Sequence, residues 1–112
     1  MPQAFPFALM KLGALRDRIN DPNKDEGRHH ALDLYRIVAM LTEDEDAVAS
    51  ELAKQHADND ILLRAIRVVD ELLLPADGLG RIRMLEHPLC PDDADPDWLA
   101  AELRRLLRPP SA

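Results

Sequence analysis

Ile61, Leu62, Ala65, Ile66, Val69, Leu72 and Leu73 recur at steps of three and four, and together they cover an arc of a helix surface too wide to be satisfied at an edge. A helix patterned this way requires a central position, so the rest of the chain must wrap around it. The remaining apolar positions obey the same period. Leu34, Ile37, Val38 and Leu41 define one face, and Leu99, Leu103, Leu106 and Leu107 another. No segment sustains the alternation of a half-buried strand, and Asp77-Gly78 lies between helical flanks. The expected fold is all-α, a compact bundle of five or six helices whose short loops make neighbours mostly antiparallel.

Breakers and caps divide the chain. A helix is predicted over about Pro6 to Ile19 after an irregular lead-in of residues 1–5, with Pro6 in its first turn where a missing amide proton is harmless. Asn20-Asp21-Pro22-Asn23 breaks it, a polar loop follows to Gly27, and a second helix spans about Arg28 to Leu41. Thr42-Glu43-Asp44-Glu45 matches a capping box, so a third helix runs to about Ala57, burying Val48 and Leu52. Asp58 or Asn59 caps the central helix, which Pro75 stops. One or two helical turns are expected over Arg81 to Glu86, then an acidic loop over Pro88 to Asp95. Asp95-Pro96 starts a last helix that ends before Pro109-Pro110. At 112 residues, 46% hydrophobic and 31% charged, the chain is expected to be a single domain over residues 1–112.

Twenty-one acidic against fourteen basic residues give a net charge of −7, a field that repels nucleic-acid backbones and anionic lipid. General nucleic-acid binding is therefore not expected. The lone Cys90 has no partner for a disulfide, and no apolar run approaches the roughly 20 residues of a membrane span. A cytoplasmic location is expected.

Within this frame Lys11 stands out. It lies on an almost wholly apolar helix, sharing an arc with Phe7, Ala8, Ala14, Leu15 and Arg18, and an unpaired ammonium there would be costly to bury. Either its stem packs while the charge reaches water, or it meets a carboxylate or a bound anion. Asp33 is the natural carboxylate, grouped with His29, His30 and Arg36 on the second helix. On their own spacing these form a surface ladder. His29 and Asp33 fall short of the three or four ligands zinc requires, and His56 and His87 add no diagnostic spacing, so no metal site is expected. No phosphate-cradling glycine loop, nucleophile elbow or paired-cysteine motif is present, and no catalytic residue is assigned. A hydrolase using His29 or His30 unaided is the weakest of the enzymatic readings.

The run Pro6-Phe7-Ala8-Leu9-Met10-Lys11-Leu12 with Arg16-Asp17-Arg18, followed by His30-Ala31-Leu32-Asp33-Leu34-Tyr35, resembles the helical C-terminal part of minimal nucleotidyltransferases of the abortive-infection toxin type. The resemblance covers about residues 6–41. It implies that Lys11 and Asp33 help hold a nucleoside triphosphate, with Arg18, His29 and His30 as neighbouring nucleotide contacts. His29-His30 stand where that family carries a lysine-aspartate pair, and the family's glycine-serine strand and paired metal-binding aspartates do not occur in these 112 residues. The resemblance therefore implies a domain inactive alone that binds a nucleotide or complements a catalytic chain, with no cofactor of its own and a magnesium nucleotide where such a partner exists. The expected assembly is a homo-oligomer, or a heteromer with a catalytic or antitoxin chain. The rival expectation is a helical protein–protein interaction module, an antitoxin or regulatory partner, without nucleotide binding.

Overall fold

The computed structural model describes residues 4–108, which form six α-helices with no strand among them. These are α1 (Ala4–Arg18), α2 (Asp25–Ala39), α3 (Glu43–Gln55), α4 (Asp60–Val68), α5 (Leu79–Glu86) and α6 (Pro96–Leu107). Residues 1–3 of the expected lead-in and the stop at Pro109-Pro110 lie outside the described residues. The helices pack around the aliphatic core anticipated above, with Leu12, Leu15, Leu34, Leu62, Leu73, Leu99 and Leu103 withdrawn from water.

Three of the sequence caps operate as expected. The Thr42 hydroxyl accepts from the Glu45 amide at 3.1 Å and donates to the Glu45 carboxylate, Asn59 rather than Asp58 caps α4, and Asp95 accepts from the Asp97 amide with Pro96 in the first turn. Helix α2 differs. It begins at Asp25, three residues before the expected start, because Asp21 and Asn23 each accept from the amide two residues on, at 2.9 and 3.1 Å. These two side-chain turns coil the chain early, and Asp25 and Glu26 then sit favourably at the positive end of the helix. On α3, Val48 is exposed and Leu52 half-buried, while Ala49 and Ala53 are buried instead. Small residues there let α3 approach α1 and α6 closely, so Val48 points away from the seam while Leu52 packs at the edge of the core.

Helix α4 continues into a π-turn over Val69–Leu73, where the Leu74 amide reaches back five residues to the Val69 carbonyl at 2.8 Å. The wider turn keeps Val69 and Leu73 both buried and brings the Leu72 carbonyl against Gly78 and Gly80. Arg81 answers the carbonyls left open at this end. Its Nε donates to the Leu73 carbonyl at 2.8 Å and its terminal nitrogen to the Leu74 carbonyl at 2.9 Å and to Asp97, tying α4, α5 and α6 together.

Helices α1 and α2 form an antiparallel pair. The register follows from three levels of contact: the Arg18 carbonyl beside Gly27, Lys11 beside His30 and Asp33, and Ala4 and Phe7 sharing a groove with Ile37 and Met40. Helix α5 closes over the other flank of α2.

Candidate functional site at the α1–α2 seam

The Lys11 ammonium lies 2.8 Å from Asp33 Oδ2. It also sits 3.5 Å from His30 Nδ1 and 5.2 Å from the centre of the Phe7 ring. The lysine stem packs in the seam, the lysine side chain is 16% exposed and that of Asp33 33%, so the pair is shielded without being sealed. Of the two solutions open to this lysine, the carboxylate is the one adopted. An aromatic face four residues earlier on α1 adds a favourable quadrupole interaction to the ion pair.

Beside the pair runs a groove of about 560 Å³, lined by Ala4, Phe7, Ile37 and Met40 with Asp33, Arg36 and Glu45. Its walls come from α1 and α2, and the acidic first turn of α3 contributes Glu45. Apolar lining with a few convergent charged groups is the ordinary make-up of a small-ligand site, and the volume falls in the usual range of about 300–1,000 Å³.

Of the other sequence candidates, His30 belongs to this cluster. Its Nε2 lies 3.7 Å from Glu26 one turn back, and its pKa is held below the ordinary 6.5, first by burial and then by the Lys11 charge, against the pull of Glu26 and Asp33. Arg18 stands apart from Lys11. Two turns separate them, about 10 Å at ~1.5 Å per residue, and Arg18 is paired with Asp21 at 3.3 Å beyond the end of α1.

His29 leaves the ladder suggested by spacing and turns toward α5. Its Nδ1 lies 3.0 Å from His87 Nε2, with the rings edge-on at 67° and their centres 4.9 Å apart. His87 is the functional-looking residue that spacing did not single out, being 58 positions from its partner. It is buried at 8% exposure, and its Nδ1 accepts from the Leu89 amide at 3.0 Å. Burial lowers its pKa, reinforced by His29, Arg36 and Arg28 and opposed by Asp33. A histidine that binds metal through one ring nitrogen normally donates a proton from the other. The Leu89 amide makes His87 Nδ1 an acceptor, so the imidazole pair is a hydrogen bond rather than a ligand set. Among the described residues no group of three or more histidine, cysteine or acidic side chains is arranged to hold a metal ion.

Next to this pair, Glu86 lies between two guanidinium groups, 3.1 Å from Arg83 and 3.6 Å from Arg28. Although partial burial acts to raise its pKa, the Arg83 hydrogen bond and both positive charges hold it below the usual carboxylate value. Arg83 is itself 8% exposed, with its stem against Gly27. This triad clamps α5 to the start of α2. No described helix is long and apolar enough to cross a membrane. Comparisons with family models, with curated proteins and with solved structures find no match to this chain.

Proposed function

We propose that this chain is a nucleotide-binding helical domain that serves a separate catalytic unit, as the likeness to nucleotidyltransferase C-terminal regions implies. The observation that carries the proposal is the Lys11–Asp33 pair bordering an apolar groove of nucleotide-compatible size. Phe7, Ile37 and Met40 offer a surface for a base. Lys11 has three ammonium protons, and Asp33 and His30 engage two directions, which orients the lysine while leaving donor capacity for a phosphate oxygen. Arg36 supplies a second cation in the groove. The domain's part is holding and orienting. The carboxylates that would bind magnesium for phosphoryl transfer belong, in this reading, to the partner.

Thermal unfolding with ATP, GTP or CTP and magnesium tests this directly. A nucleotide at one hundred times its Kd stabilises the folded state by about 2.7 kcal/mol. The midpoint should rise by several degrees with at least one nucleotide, and Lys11→Met should remove the rise. A midpoint unmoved by millimolar nucleotide overturns the proposal.

A second reading, a helical interaction module without nucleotide binding, is favoured by one observation. Met40 is 76% exposed at the groove mouth, and Leu79, Ile82, Leu85 and Leu89 leave apolar surface around α5. A catalytic chain covering this surface suits both readings, and sedimentation at several concentrations, alone and with that chain, separates self-association from heteromer formation.

A further inference from the structure

We infer that the His29–His87 pair is a pH-operated latch that fastens the end of α5 and the loop after it to α2. The logic lies in the count of protons. His87 Nδ1 accepts from the Leu89 amide at 3.0 Å, so the one proton of a neutral ring sits on Nε2. That proton is directed at His29 Nδ1, 3.0 Å away, which must therefore be bare. His29 in turn carries its own proton on Nε2, on the exposed side of α2. The arrangement accommodates two protons on two rings and no more.

A third proton has two places to go. On His87 Nδ1 it confronts the Leu89 N–H, and on His29 Nδ1 it confronts the His87 N–H. Either way an acceptor becomes a donor facing a donor, and one hydrogen bond of this part-buried pair is lost. Reversing both tautomers does not help, because it again places a proton against the Leu89 amide. The latch is closed only when both imidazoles are neutral.

The surrounding charges favour opening on acidification rather than resisting it. From α2 the pair faces Arg28, Arg36 and Asp33, and Asp33 is already engaged by Lys11. From α5 come Arg83 and Glu86, and Glu86 is shared between Arg83 and Arg28. Neither nearby carboxylate is free to stabilise an imidazolium. What the latch holds is the first stretch of the loop: Leu89 is 66% exposed and the Cys90 amide bonds only back to the His87 carbonyl, while Cys90 and Ala94 further on pack against the core. Release therefore loosens the chain around Leu89 without dismantling the Glu86 clamp one residue before His87.

Ring-nitrogen NMR and amide exchange of the whole chain test this independently of any nucleotide. At pH 8 both rings should show a bare Nδ1 and a protonated Nε2. Between pH 7 and 5 the protection factor of the Leu89 amide should fall at least tenfold, in step with ring protonation. His87→Asn supplies an amide oxygen that can accept from Leu89 without titrating, so in that variant the protection factor should become independent of pH. His29→Gln should keep an acceptor for His87, and the fall in Leu89 protection should then follow His87 protonation alone. A proton on His87 Nδ1 at pH 8, or a wild-type Leu89 protection factor that stays constant while His87 titrates, overturns the latch. Circular dichroism of each variant distinguishes loss of the latch from loss of the fold.

Discussion

Removing the Lys11–Asp33 pair one partner at a time, by Lys11→Met and Asp33→Asn, probes the physics of the seam most directly. At 2.8 Å the Coulomb attraction is about 1.5 kcal/mol in bulk water and about 6 kcal/mol at an effective dielectric constant near 20. The lysine side chain retains 16% of its exposure and the aspartate 33%, so water offsets much of the larger figure, and holding a long side chain in one rotamer opposes it further. A coupling energy of about 1 kcal/mol is expected at low ionic strength. It should be recovered as the non-additive term of a double-mutant cycle in thermal or urea unfolding. Each single variant should lower the midpoint by about 4 °C, and the double variant should fall well short of the sum. In ~1 M salt, where the screening length is about 3 Å, the coupling should shrink but persist, because half-buried pairs are screened less than exposed ones. Additive single variants at low salt would refute the claim that the two charges act as a pair.

Leu34→Ala, at a position fully withdrawn from water in α2, should destabilise by about 3 kcal/mol in urea unfolding, the usual cost of a buried leucine cavity. Gly78→Ala should lower the thermal midpoint strongly despite an ordinary φ of −60°, because an added Cβ meets the Leu72 carbonyl, whose carbon would lie 2.7 Å away. Alanine at Gly13, where nothing approaches within 4 Å, should be tolerated or mildly stabilising. His30 and His87 both have folded pKa values below the ordinary 6.5, through burial first, then Lys11 for His30 and His29 for His87. The unfolded chain then takes up protons before the folded one, so their contribution is fully present above pH 6.5 and is lost as pH falls through the lowered values. Midpoints measured from pH 8 to 5 should drop over that window, and a double His30→Gln, His87→Asn variant should flatten the drop.

The helices were legible because the signals that define them are short-range. Apolar steps of three and four, the Thr42–Glu45 box, the Asn59 cap and the Asp95-Pro96 start each act within a turn or two of chain, and all operate where the sequence put them. The early start of α2 was written there too, in Asp21 and Asn23, but as side-chain turns that compete with a loop reading. Lys11 and Asp33 were identifiable as partners because an ammonium on an apolar helix needs a counter-charge, and the neighbouring helix across a short loop carried one.

Tertiary packing decided what lies between elements distant along the chain. Nothing in the spacing of His87 marks it, yet docking of α5 on α2 brings it to His29 across 58 positions. The π-turn at Val69–Leu73 likewise reflects the demands of two buried faces and the close approach of Gly78 and Gly80, rather than any local preference of those residues. Val48 and Ile61 face water although both fit an apolar period, since period assigns residues to a face while only the neighbouring helices determine how much of that face is covered. Local sequence set the helices and one ion pair. The histidine pair and the arginine clamp exist because α2 and α5, brought together from across the chain, must satisfy polar groups that neither could satisfy alone.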